Sequence, residues 1–251
     1  MSGHSKWATI KHKKAKTDAA RGKSFTKLIK EVTTAAGIGG ADLEGNPRLR
    51  IAVEKAKADN VPADNIKRAI LKGTGELEGV HYEELTYEGY GPGGVAILVD
   101  VLTDNKNRTL SEIRNTFDKG GGSFGASGSV AWGFKRKGVI TFEKGKVNED
   151  AVSNAAIDAG AEDISSEDDI IEIITKPEDF ENVRNALKAA KFEPAHADIT
   201  MIPNTTVKVA GDDARKVLNL VSKLEDNDDV QAVHANFDIP DEVIKALAEI
   251  E

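Results

Sequence analysis

The change in hydrophobic periodicity near residue 79 constrains the fold of this chain most. Up to about residue 78, apolar residues recur at helical spacing, as Phe25, Leu28, Ile29 and Val32 do in "SFTKLIKEVTTAAG". Further along, strand-like runs such as "GVAILVDVLTD" alternate with amphipathic segments such as "NRTLSEIRNTFDKG". This order predicts an α+β protein with a helical N-terminal region.

The helical region carries its own boundary residues. Asn46 and Pro47 predict the start of one helix, and Pro62 predicts the start of another. Gly37 and Gly73 are suitable residues at which helices end. Three short amphipathic helices can bury one another's faces. We therefore expect residues 1–78 to form a basic arm plus a three-helix domain.

The remaining segments fall into two β-α-β…β-α-β patterns, one of which is interrupted by the other. The economical interpretation is two ferredoxin-like α+β domains, one inserted in the other. The split domain would comprise residues 79–137 and 204–251, and the inserted domain residues 138–203, with a strand break near Lys137 and Gly138. One larger mixed sheet is the alternative.

Composition excludes several classes of protein. The chain has no cysteine, which rules out disulfides, thiol catalysis and cysteine-built zinc sites. It has no apolar stretch near the roughly 20 residues that span a bilayer, and no secretory segment follows its basic start. We expect a cytoplasmic protein without membrane contact.

No pattern of residues indicates an enzyme. "GYGPGG" at 89–94 precedes a strand rather than a helix, so it predicts a tight turn and not a dinucleotide site. The histidines have no metal-ligand spacing, and acidic runs such as 224–229 are interpreted as solvated loops. The sequence predicts no catalytic residue, metal, cofactor or small-molecule substrate.

Charge is distributed unevenly. Residues 1–30, which we call the basic arm, carry nine cations against one aspartate, a net charge of +8. Because the net charge of the whole chain is -8, the other 221 residues carry a net charge of -16. A basic segment on an acidic body indicates a polyanionic partner. Lysines and arginines would neutralise phosphates and Trp7 would stack on a base or anchor the arm. A disordered solubilising tail is the alternative. The candidate nucleic-acid-binding residues here are Lys6, Trp7, Lys11, His12, Lys13, Lys14, Lys16, Arg21, Lys23 and Lys27.

Two further segments are weaker candidates. Arg108, with Lys106, lies at a predicted helix start that can bind phosphate. A plain turn and cap built by residues 104–109 is the favoured alternative there, with a capping box from Thr109 to Glu112. The glycine-rich loop at 120–128 either grips a ligand or nucleic-acid backbone, or is a flexible connector.

Four long motifs, in order, resemble the YebC/PmpR family: "GHSKWATIKHKKAKTDAARGKSFTKLIKE", "NPRLRIAVEKAKADNVP", "YEGYGPGGVAILVDVLTDNKNRT" and "GGSFGASGSVAWGF". The resemblance implies a helical domain and two α+β domains, one interrupting the other. It also implies a cytoplasmic DNA-binding transcriptional regulator. Other members, including a mitochondrial translational activator of cytochrome oxidase, act on translation at the ribosome. The start at the family motif suggests a bacterial member without a presequence.

These observations together predict a non-enzymatic, nucleic-acid-binding regulator of gene expression. The resemblance favours DNA as the partner. The absence of a recognisable helix-turn-helix in the sequence favours RNA, since RNA is often bound by shape and backbone. The expected partners are therefore DNA, or rRNA and tRNA on the ribosome, bound by a monomer.

Overall fold

The computed structural model describes residues 18–167, 169–240 and 243. It begins with three helices, α1 (Asp18–Gly39), α2 (Pro47–Ala58) and α3 (Ala63–Gly73). Their apolar faces share one core, which contains Val32, Leu49 and Ile66. The Asn46 side chain accepts a hydrogen bond from the Leu49 amide at 3.0 Å, with Pro47 at the first helical position. The predicted cap is thus confirmed, whereas α1 continues two residues past the expected stop at Gly37.

The rest of the chain alternates strands and helices. In order these are β1 (Glu83–Tyr90), β2 (Ala96–Thr103), α4 (Lys106–Lys119), β3 (Ser123–Phe124), β4 (Phe134–Glu143), α5 (Glu149–Asp158), β5 (Asp163–Glu167), β6 (Ile170–Thr175), α6 (Phe180–Ala189), β7 (His196–Pro203), β8 (Val207–Lys208), α7 (Gly211–Glu225), β9 (Val230–Ala235) and β10 (Phe237–Asp238).

The first sheet has the strand order β3–β1–β2–β9 and is antiparallel throughout. It combines strands from before and after β4–β7. Residues 97, 99 and 101 of β2 point into a core with α4 and α7. The opposite face packs through Leu98 against Val130, Phe134 and Met201.

The second sheet has the order β5–β6–β4–β7 and is also antiparallel. Its β-α-β-β-α-β connectivity is ferredoxin-like, with α5 and α6 over one face in a core containing Phe142, Ile171 and Phe180. The whole second sheet lies between β3 and β9 in sequence. The fold is therefore α+β: an N-terminal three-helix domain followed by two α+β domains, of which the ferredoxin-like second is inserted in the first. The domain boundaries themselves stay a prediction.

Three local details bear on the predictions. "GYGPGG" forms the turn between β1 and β2, as expected, and Gly93 there has φ 72°, which glycine adopts without strain. The predicted strand break near Lys137 and Gly138 is wrong, because β4 pairs with β7 continuously from Phe134 to Thr141. Asn105, not Thr109, caps α4, because its side chain reaches the Arg108 amide at 3.1 Å.

Candidate nucleic-acid interface

The candidate binding residues divide into those the structure describes and those it does not. Outside the described residues lie Lys6, Trp7, Lys11, His12, Lys13, Lys14 and Lys16. Arg21 lies within α1, but its side chain is not described. Their role stays a prediction. Lys23, Lys27 and Arg108 are described, and the structure brings all three to the same end of the first sheet.

One face of α1 presents three lysines to the turn between α7 and β9. Lys23, Lys27 and Lys30 are spaced by four and three residues, which places them in one row along a helix. The C-terminus of a helix carries partial negative charge and unpaired carbonyls, which cations satisfy. Lys23 pairs with the Asp226 carboxylate at 3.4 Å, Lys27 donates to the carbonyl of Glu225, and Lys30 donates to the carbonyl of Asp228 at 2.9 Å.

Asp229 is the centre of this contact. The residue is 3% exposed, and its carboxylate accepts hydrogen bonds from Lys30 Nζ, Arg108 and Thr109, each at 2.6 Å, and from Thr103 at 3.1 Å. These five residues, the Asp229 cluster, come from α1, β2, α4 and the turn before β9. The cluster therefore links the helical domain to the first sheet.

The cluster holds Asp229 as an anion. Burial by itself would raise the pKa of Asp229, but the hydrogen bonds from Lys30, Thr109 and Arg108 outweigh it and lower the pKa to about 2. Hydrogen bonds to Asp229 and Asp104 raise the pKa of Arg108 above its usual range. Arg108 thus remains a cation whose guanidinium is shared by two carboxylates.

An open cleft of about 560 Å³ lies over the Asp229 cluster. Its charged lining consists of three cations and five carboxylates: Lys23, Lys30, Arg108, Asp104, Glu112, Asp226, Asp228 and Asp229. An excess of carboxylates repels phosphate. Around Arg108, the geometry corresponds to the turn-and-cap alternative, and a nucleic-acid contact by Arg108 stays a prediction.

The glycine-rich loop has an internal anchor that the sequence does not predict. Glu88, on β1, is 5% exposed, and its carboxylate accepts hydrogen bonds from the backbone amides of Gly128, Val130 (2.7 Å) and Ala131 (2.8 Å). Burial would raise the pKa of Glu88, but these three amides together lower it. The loop is tied to β1 at its end near β4.

Asp229 and Lys30 are not among the residues that the sequence predicts for the site. The prediction of a solvated loop at 224–229 is wrong for Asp229, which is buried. The spacing of Lys23, Lys27 and Lys30 was a usable indication of a shared face. Nothing in the local sequence distinguishes Asp229 from Asp228, because its partner Lys30 is 199 residues away.

Two further observations concern sites of other kinds. In the part of the chain that the structure describes, no three His, Asp or Glu side chains are grouped so as to hold a metal ion. Over the same residues, no helix has the length and apolar character needed to cross a membrane.

Comparison with known proteins covers nearly the whole chain. Residues 5–76 match the family described as "TACO1/YebC protein N-terminal domain", and residues 82–237 match "TACO1/YebC second and third domain". Similar proteins named "Probable transcriptional regulatory protein" occur in Syntrophobacter fumaroxidans, at 57% identity over 99% of this chain and 100% of that one. Another occurs in Geotalea uraniireducens, at 58% identity over 96% and 98%. The crystal structure of a conserved hypothetical protein from Aquifex aeolicus matches with TM-score 0.83 and 48% identity, over 90% of this chain and 93% of that one. These matches show that the chain belongs to the TACO1/YebC family.

Proposed function

We propose that this protein is a non-enzymatic, nucleic-acid-binding regulator of gene expression that acts on DNA as a transcriptional regulator. The observation that carries the proposal is the +8 basic arm on a body of -16. Phosphate contacts by lysine and arginine supply most of the affinity in such binding. The name of the relatives, "Probable transcriptional regulatory protein", supports the same role.

The contacts of α1 with the rest of the protein reduce the number of cations that a partner can bind. Lys23, Lys27 and Lys30 bind the turn between α7 and β9, so their positive charge compensates the protein's own carboxylates and carbonyls. The six cations that precede them are Lys6, Lys11, Lys13, Lys14, Lys16 and Arg21. We propose that these six form the phosphate-binding element, with Trp7 and His12 among them. The proposed setting is the cytoplasm, with the protein acting as a monomer.

One observation favours a second candidate, a translation factor that binds RNA or the ribosome. A transcription factor commonly places a helix in the major groove. Here the basic row of α1 faces α7, so this helix is not presented to a groove by its lysines. RNA is bound through shape and backbone without such a helix. The resemblance to a mitochondrial translational activator points the same way.

Binding measured across a salt series tests the proposal. If the five lysines of this element, Lys6, Lys11, Lys13, Lys14 and Lys16, contact phosphates, log K against log salt slopes at about -4 on duplex DNA. A triple variant, Lys6→Gln, Lys11→Gln and Lys13→Gln, makes that slope less negative by about 3. The matched control is Lys57→Gln, Lys67→Gln and Lys72→Gln, which removes equal charge from exposed positions of the helical domain and leaves the slope unchanged.

Equal slopes for the two triple variants would refute the arm as the binding element. The partner is identified by comparing duplex DNA, structured RNA and whole ribosomes under the same salt conditions. Co-sedimentation with ribosomes at moderate salt, together with weak DNA binding, would reject the transcriptional role in favour of the translational one.

A further inference from the structure

The side chain of Trp132 is highly exposed at the protein surface. It belongs to a short 3-10 turn, Ala131–Gly133, immediately before β4, and it is 77% exposed. Among the described residues, no other large hydrophobic side chain is exposed to this degree. Leaving so much apolar area in water forgoes the stabilisation that burying an aromatic ring normally gives. A single exposed ring would need no explanation, but Trp132 lies beside Tyr90, which is 38% exposed, and a shared apolar surface of this kind indicates a contact with a partner.

The ring is nevertheless held in place. Trp132 Nε1 donates to the carbonyl oxygen of Ser129 at 3.0 Å, and Tyr90 Oη donates to the same oxygen at 3.0 Å. The two donor atoms are therefore at most about 6 Å apart, since both lie 3.0 Å from one atom. Because each ring's polar group is satisfied internally, the two rings offer a partner mainly their apolar surfaces.

The backbone beneath the rings is also fixed. Glu88 holds the amides of residues 128, 130 and 131. Asn204, after β7, donates from its side chain to the Trp132 carbonyl at 3.2 Å and from its amide to the Gly133 carbonyl at 2.8 Å. The segment from Gly128 to Gly133 is thus attached to both sheets. A surface that is already ordered loses little entropy when a partner binds.

The charge of this segment indicates what kind of partner fits. Residues 119–142 contain no Asp or Glu, the longest such stretch in a chain with 42 acidic residues. Lys135 and Arg136, three and four positions after Trp132, are exposed cations on β4. As neighbours on a strand they project to opposite faces, and their positive charge acts on Glu162 and Asp100 respectively. Glu88, the carboxylate beneath this segment, is buried and bonded to three backbone amides, so it is not presented to a partner. An aromatic surface in a basic segment of the chain suits a polyanion that carries flat rings.

We propose that Trp132 and Tyr90 form a stacking platform for an unpaired nucleobase. Bases stack on aromatic side chains irrespective of sequence. The platform rests on the proposed nucleic-acid-binding function and adds a second contact that is separate from the basic arm. It would select single-stranded or looped segments, since a base paired within a duplex does not offer its face.

The test uses the full chain with 5-fluorotryptophan, whose two ¹⁹F resonances report Trp7 and Trp132 in the same molecule. Trp132→Phe identifies the second resonance. Ten-nucleotide adenosine strands of RNA and of DNA are titrated in, and a duplex of equal length serves as comparison. Saturable shift of the Trp132 resonance with the single strands, and little with the duplex, supports the platform.

Affinity for the same strands is measured by fluorescence anisotropy on variants. Trp132→Ala weakens binding about 5- to 150-fold, as expected when one stacked base is lost, whereas Trp132→Phe keeps most of the affinity. The salt slope stays unchanged, because no phosphate contact is removed. Ile157→Ala, at a residue that is 60% exposed on α5, is the matched control and has no effect.

The outcomes separate this inference from the proposed function. If the single strands bind and only the Trp7 resonance responds, or if Trp132→Ala binds like wild type, the platform is refuted while the arm remains. If no nucleic acid binds at all, both are refuted. A thermal unfolding midpoint of Trp132→Ala equal to that of wild type is required for the comparison and is expected from the exposure of the side chain.

Discussion

Replacing Asp229 by asparagine tests the account of the Asp229 cluster most directly. The substitution keeps the shape of the side chain and removes its charge. Lys30, whose side chain is 10% exposed, then loses its carboxylate partner within the protein. Arg108 is 43% exposed and keeps Asp104, so its contribution to the loss is small.

The magnitude follows from the structure in two ways. The pKa of Asp229 falls from its ordinary 3.8 to about 2, which corresponds to about 2 kcal/mol of stabilisation of the folded state. Leaving one partner of a buried ion pair without the other costs about 3–5 kcal/mol. We therefore expect Asp229→Asn to lower the free energy of unfolding of the first sheet by about 2–4 kcal/mol at neutral pH.

The pH dependence supplies a second readout. A carboxylate whose pKa is lowered on folding stabilises the protein fully above its ordinary pKa of 3.8, and this stabilisation is lost as the pH falls through about 2. The difference in unfolding free energy between wild type and Asp229→Asn should therefore shrink steadily between about pH 4 and pH 2. Urea unfolding followed by circular dichroism, at several pH values, measures this difference.

Asp226→Asn is the matched control. Asp226 is three residues earlier in the same turn, but its pair with Lys23 is solvent-exposed, so its loss costs at most about 1 kcal/mol. Equal destabilisation by the two variants would refute the view that the buried pair holds this contact. If the difference in unfolding free energy between wild type and Asp229→Asn stays unchanged down to pH 2, the charge of Asp229 is not what stabilises the contact.

Two further predictions concern the glycine-rich loop and the second sheet. Glu88→Gln weakens the three amide hydrogen bonds by about 1–3 kcal/mol in total, so hydrogen exchange at Gly128 and Val130 accelerates about 5- to 150-fold while the amides of β6 keep their rates; unchanged exchange would mean that Glu88 does not anchor the loop. Gly138→Ala places a Cβ 2.6 Å from the Phe180 ring and lowers stability by about 1–3 kcal/mol in thermal unfolding. Gly145→Ala, where a Cβ meets nothing within 4 Å, is its control, and similar melting of the two variants would contradict the packing argument.

Much of the fold was predictable because local patterns agree with it. The helix start at Asn46 and Pro47 and the turn at "GYGPGG" depend on backbone properties of those residues alone. The alternation of strands and helices then limited the topology to a few possibilities, of which the inserted arrangement is the observed one. The errors occurred at boundaries, where Gly138 suggested a break that pairing with β6 and β7 overrides.

The candidate site was less predictable, because it depends on which charges meet in space. The sequence located the positive charge in residues 1–30 but not the fact that Lys23, Lys27 and Lys30 bind the body. It located the glycine-rich loop, but neither the Glu88 anchor nor the exposed ring of Trp132. These features join residues from distant parts of the chain.

The sequence by itself therefore determined the α+β class, the basic arm on an acidic body and, through four motifs, the family. Each of these is a property of neighbouring residues or of a sum over the chain. Only the tertiary structure decided that Asp229 is a buried anion while Asp226, in the same acidic run, is exposed. The physical reason is that solvation and pairing of a charge depend on groups brought together by folding, here Lys30 at 199 residues' distance, and local propensity contains no information about them.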